Sequence, residues 1–288
     1  QGTLSVGFGT NSQGTVTVDD STANAAILVL GENGTGSLNV KNGGVVNAAL
    51  AAAGNQKDGT GHIDVTDAGS QLNVGSYGLY VNTDGSGTVS VENGGVISSA
   101  GQVSFGDGST VASGSTGTLT LGQNGTLEVG GTDGIVANEG GNGSYQFNMA
   151  GGTLKDVGSD LTTSVNATLV SGTNSTVDTN GLNTTLSGVL SGDGSLTKVS
   201  DGTLTLTNAN TYAGTTSVTA GTLQLGNGGT AGNIATTTAI HDNGTLAVDR
   251  SDAITIGQVI DGTGNLNQIG TGTTTLTGTN TYTGATTI

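Results

Sequence analysis

Residues 192–218 (GDGSLTKVSDGTLTLTNANTYAGTTSV) and 262–288 (GTGNLNQIGTGTTTLTGTNTYTGATTI) are one pattern written twice, 70 residues apart, with thirteen of 27 aligned positions identical. Internal repetition at a fixed period marks a solenoid, in which each unit buries its apolar side chains only against its neighbours. The second copy runs to Ile288, whereas Val218 continues into TAGTLQLGNGG. The expectation from this is a piece of a longer protein.

A second echo fills the first half. Residues 34–46 (GTGSLNVKNGGVV) match 85–97 (GSGTVSVENGGVI) at an offset of 51, and 117–129 (GTLTLGQNGTLEV) carries a shorter version. Thr usage shifts as well: 25 of the last 88 residues against 26 of the first 200. These shifts predict two repeat families, residues 1–160 and 161–288, on one continuous solenoid.

Period-two alternation recurs in short runs such as Thr15-Val16-Thr17-Val18, Thr88-Val89-Ser90-Val91 and Thr203-Leu204-Thr205-Leu206. Each run turns two apolar side chains inward and two polar ones outward. Asn-Gly and Asp-Gly dipeptides punctuate the runs and offer the positive φ of a sharp corner. In isolation they suggest hairpins. A hairpin sandwich, however, needs bulky side chains to fill a core about 10 Å thick. This chain has three Phe, no Trp and 55 Gly among 288 residues. A parallel β-helix needs only small aliphatics stacked in register, and the absence of Pro suits strands that all donate to a neighbour. At roughly 20–25 residues per coil, about twelve to fourteen coils are expected. The Ala48–Ala53 run (AALAAA) is the one segment that reads as a short helix or loop.

The net charge is −16, with Lys41, Lys57, Lys155, Lys198 and Arg250 as the basic residues. No basic stripe for nucleic acid can be assembled, and anionic membrane surfaces are disfavoured. The lack of Cys fits a reducing compartment or a chain that crosses an oxidising one unfolded. No apolar stretch is long enough to span a bilayer.

His62 and His241 read as strand ends or corners, without a nucleophile-elbow motif. The carboxylate pairs Asp64/Asp67, Asp156/Asp160 and Asp249/Asp252 read as turn caps rather than glycosidase pairs. Gly130-Gly131-Thr132-Asp133-Gly134 only partly matches the Ca²⁺-binding nonapeptide. Tyr212 and Tyr282 read as corner packing with the hydroxyl reaching water. Lys198 and Arg250 read as tolerant positions. Thr203/Thr205/Thr207 and Thr273/Thr275/Thr277 would form an ice-binding array only if aligned on one flat face. No catalytic residue, cofactor or metal is predicted.

Segments 176–226 and 246–288 resemble the passenger-associated transport repeat of Gram-negative autotransporters. The resemblance rests on Gly192, Gly194, Leu196, Gly202, Leu204, Leu206, Asn210, Thr211, Tyr212 and Gly214. In the second copy it rests on Gly262, Gly264, Leu266, Gly272, Leu276, Asn280, Thr281, Tyr282 and Gly284. Residues 1–160 are similar, more loosely, to the GxLxVxxGGxV repeats of adhesin-like passengers. The resemblance implies a right-handed parallel β-helix, exported through a C-terminal outer-membrane β-barrel to the cell surface. It implies an adhesin or self-associating stalk, whose partners are a host cell, matrix or another copy of itself. The alternatives are a pure folding-and-export scaffold and a carbohydrate-active β-helix enzyme.

Overall fold

A computed structural model describes residues 2–108, 114–131, 134–138, 140 and 142–288. Among these the regular elements are all strands. The strand pairs described in register are parallel, and each strand joins the one at the same place in the next coil, as in Val16↔Leu38, Leu38↔Ile63 and Ile63↔Val89. The chain is therefore a parallel β-solenoid. It divides into two compact units, Gln1–Leu154 and Lys155–Ile288.

In the first unit the alternation predicted from sequence is the packing pattern. Leu38, Ile63, Val89, Leu119 and Phe147 stack on one ladder, with Val40, Val65, Val91, Leu121 and Met149 beside them, and all are buried. A second ladder stacks Val46, Leu72, Ile97 and Leu127. Every inward side chain therefore rests on its counterpart one strand spacing away, which removes apolar area from water without large residues. The outward rows are polar. Asn73 donates through Nδ2 to Asn47 Oδ1 at 3.0 Å, and Asn47 donates to Asn24 Oδ1 at 2.9 Å.

Corners use left-handed backbone. Asn42, Asn93, Asn124 and Asn180 have φ of 52°, 55°, 60° and 50°. In the pairs at 107, 201, 227 and 261 the following Gly takes the positive φ instead. Asx side chains tolerate this region and Gly enters it without strain, so both dipeptides turn the chain between ladders.

The Ala-rich run corrects its sequence reading. Ala48–Ala53 belongs to the strand Val45–Ala53, which pairs with Thr22–Leu30 through Leu28↔Ala51 and Leu30↔Ala53. Alanine favours helix on its own, but an extended neighbour already in place offers a full hydrogen-bond ladder, and packing overrides propensity. Ala51, Ala52 and Ala53 are buried there.

The second unit is built alike. One ladder runs Leu196↔Thr216↔Ile240↔Ile260, and another runs Leu204↔Leu223↔Leu246↔Leu266. A third carries Ala167–Leu169 on Leu190–Gly192.

Candidate functional site

The two copies of the repeat make the same bonds. Asn210 Oδ1 accepts from Leu190 N, and Asn280 Oδ1 accepts from Ile260 N, each at 2.9 Å. Thr211 N and Thr281 N donate to Leu190 O and Ile260 O. The Tyr212 hydroxyl meets Thr216 Oγ1 at 2.7 Å, and Tyr282 meets Thr286 Oγ1 at the same distance. Each contact that reaches the preceding coil does so across 20 or 21 residues of chain. The signature is thus a docking pattern for one coil upon the previous one.

Its glycines are where coils touch. A Cβ on Gly214 would stand 2.2 Å from Gly194 O, and one on Gly284 would stand 2.0 Å from Gly264 O. Gly192, Gly202 and Gly262 have φ of 95°, 88° and 106°. Gly272 lies against Asp252 O. Leu196, Leu204, Leu206 and Leu266 are buried, Leu276 is half-buried, and Thr211 and Thr281 are exposed.

The copies nevertheless occupy different faces. Leu196 lies on the ladder of Thr216, Ile240 and Ile260. Its equivalent, Leu266, lies on the ladder of Leu204, Leu223 and Leu246. Seventy residues are not a whole number of coils here, so the second copy starts one ladder further round. The 51-residue echo behaves differently: Leu38 and Val89 share a ladder through Ile63. The same displacement puts Thr203 and Thr205 on one ladder and Thr275 on another, so the Thr rows form no common flat lattice.

Known proteins carry the same pattern. The passenger-associated-transport-repeat family model matches residues 196–225 and 266–288. The adhesin BmaC autotransporter of Brucella suis biovar 1 (strain 1330) is 41% identical over 73 residues, covering 25% of this chain. The match spans 2% of that protein's length. The chain carries the transport repeat found in autotransporter passengers. Its place is the surface of a Gram-negative bacterium.

The passenger hides two of its few cations, against the reading of tolerant positions. Lys198 is fully buried on the inward side of its strand, between Val177 and Val218. Its ammonium donates to Val199 O at 2.7 Å, Ser200 O at 2.6 Å and Ala220 O at 3.2 Å. Three donors meet three carbonyls, so the charge is hydrogen-bonded though dehydrated. Burial pulls its pKa from 10.5 to about 8, opposed by Asp178 and Asp201. Arg250 is 6% exposed; Nε and Nη2 hold Asp252, each at 2.9 Å, and Nη1 donates to Gly232 O at 3.0 Å. Neither residue was legible as buried because long cationic side chains ordinarily lie in water.

Tyr212 also differs from expectation. It is fully buried and its hydroxyl bonds Thr216 rather than water, with burial raising its pKa. Two carboxylates are interior as well. Asp156 Oδ2 accepts from Leu161 N and Thr184 Oγ1, while its buried Oδ1 has no partner, and burial lifts the pKa to about 6. Asp242 caps Gly244 N and Leu246 N, with its pKa raised by burial. Asp67 and Asp160 accept from the amides of Asn42 and Asn183, 25 and 23 residues away on a neighbouring coil, rather than from their own turns. Asp64 accepts from Ser90 Oγ, and Asp249 accepts from Gln224. Asp156 thus spans its own turn through Leu161 N, while Asp252 holds Arg250 instead of capping a turn.

His62 stands inside the strand Thr60–Val65, not at a corner, with Nδ1 2.6 Å from Thr88 Oγ1. Ser217, His241 and Asp261 share one outward row on successive coils. The contact in that row runs from His241 Nδ1 to Asp261 Oδ1 at 2.7 Å, on side chains 44% and 40% exposed. It is a solvated hydrogen-bond contact on an open sheet face, without the dry, donor-lined cleft that nucleophilic catalysis requires. Among the described residues no cluster of three His, Cys, Asp or Glu is arranged to hold a metal ion. The partial Ca²⁺ motif includes Thr132 and Asp133, which lie outside the described residues.

Proposed function

We propose that this passenger segment is an adhesive display surface, in which registered polar rows on the solenoid bind a host cell, matrix or another copy of the passenger. The observation that carries it is the Asn24–Asn47–Asn73 ladder, a row of amides repeated at the strand spacing. Such rows offer many weak hydrogen bonds whose joint engagement raises avidity. The Brucella relative is an adhesin autotransporter, which agrees with this reading. In the full-length protein the partner in export is a C-terminal β-barrel. Bacteria displaying this segment on a barrel should aggregate or attach more than bacteria displaying the barrel alone; equal attachment defeats the proposal.

A second reading is supported by the transport repeats themselves: the segment also guides folding during export. Deleting 176–288 from the full-length protein should then lower surface display while leaving the remaining displayed portion as adhesive per molecule as before. Undiminished display contradicts it.

A further inference from the structure

Tyr77 is 68% exposed, in a chain with only five Tyr, three Phe and no Trp. It sits on the corner between the strands Gln71–Val74 and Leu79–Asn82. The preceding coil crosses this place without a break, because Val45–Ala53 pairs with both of those strands. The following coils turn through Gly101-Gln102 and Gly130-Gly131. This step from unbroken strand to turning loops leaves a groove of about 480 Å³, lined by Ser76, Tyr77, Tyr80, Gly101, Gln102 and Gly131. Its size falls within the range of about 300–1,000 Å³ typical of small-ligand sites.

Stacking makes the floor of the groove bare backbone. A Cβ on Gly101 would stand 2.5 Å from Ser76 O, and one on Gly131 would stand 2.6 Å from Gly101 C. Side-chain chemistry comes from the rims. Tyr77 presents an aromatic face to water, and Gln102 Nε2 donates to the Tyr80 hydroxyl at 3.4 Å. That contact is long, so both groups retain capacity for a ligand.

We propose that this groove binds a short neutral glycan, its ring stacked on Tyr77 and its hydroxyls bonded to the Tyr80 hydroxyl and the Gln102 amide. An aromatic face matches the C–H side of a sugar ring, while amide and hydroxyl both donate and accept, as sugar hydroxyls do. Among the described residues no Lys, Arg or His lines the groove to neutralise a carboxylate or sulfate, and the chain carries −16, so sialylated or uronic sugars are disfavoured. The proposal deepens the adhesive reading and rests on it.

The test uses the purified full segment and a panel of neutral hexose oligosaccharides beside sialylated and uronic counterparts, read by saturation-transfer NMR and titration. At least one neutral member should bind, and Tyr77→Ala should weaken it about tenfold, the upper range for losing one ring contact. Gln102→Ala should weaken it several-fold, with circular dichroism and unfolding midpoint unchanged in both variants. Absence of neutral-glycan binding, equal binding by Tyr77→Ala, or stronger binding of the acidic sugars overturns the proposal. Attachment of displaying bacteria separates the two readings. If the segment promotes attachment but Tyr77→Ala leaves it undiminished, the glycan site falls and adhesion stands. Tyr77-dependent glycan binding without attachment supports the site and defeats adhesion.

Discussion

Arg250 holds Asp252 through two parallel contacts of 2.9 Å from a side chain that is only 7% exposed. Removing one partner of a buried pair strands the other charge. Asp252→Ala should cost about 2–4 kcal/mol in chemical denaturation, at the low end because Asp252 keeps some water. Arg250→Met removes the charge together with its need, and should cost less. The double variant should recover most of the Asp252→Ala loss. Additive losses would contradict a coupled pair.

Lys198 predicts a pH dependence of one sign. Its folded pKa of about 8 lies below the ordinary 10.5. Between those values the unfolded chain holds the extra proton, so stability rises with pH across that window. Lys198→Met should abolish this rise, which paired denaturation curves at pH 7.5 and 10 will show. A wild-type slope equal to that of the variant would contradict the buried ammonium.

Asp156 predicts the opposite slope at acid pH. Burial raises its folded pKa from 3.8 to about 6, so the native state binds the extra proton in that interval. Its contribution is present below about pH 4 and is lost as pH rises through 6. Asp156→Asn should therefore gain on wild type as pH rises from 4 to 6.5. Asp242 shifts in the same direction and Asp19 and Asp160 in the other, so the comparison must be between variant and wild type. Parallel curves would contradict the assignment.

Coil contact predicts which glycines matter. Gly214→Ala pushes a methyl into Gly194 O at 2.2 Å, whereas a Cβ on Gly229 meets nothing within 4 Å. Gly214→Ala should lower the unfolding midpoint clearly. Gly229→Ala should leave it unchanged or raise stability by about 0.4–1 kcal/mol through the unfolded chain. Equal effects at the two sites would contradict the docking role of the motif glycine.

The solenoid was legible wherever the chain repeats its own local rules. Thr203-Leu204-Thr205-Leu206 alternates in sequence and in burial. Asn42, Asn93, Asn124 and Asn180 mark corners because their φ is positive there. What stayed hidden depended on partners distant in sequence. Ala48–Ala53 is extended because Thr22–Leu30 waits beside it. Lys198 is interior because carbonyls up to Ala220 receive it. Tyr212 is dry because its hydroxyl meets Thr216, which in turn meets Thr237 on the next coil. The rotation of the second repeat copy could not be read from its spacing, since that requires the length of each coil between, and Thr216↔Ile240 spans more chain than Leu196↔Thr216.

Adhesion by this surface is tested most directly by competition. Purified segment, added in increasing amounts to bacteria that display the full-length passenger, should block their attachment or aggregation in a dose-dependent way. A control solenoid of equal charge should not. Attachment that persists unchanged at saturating segment would contradict an adhesive role for residues 1–288.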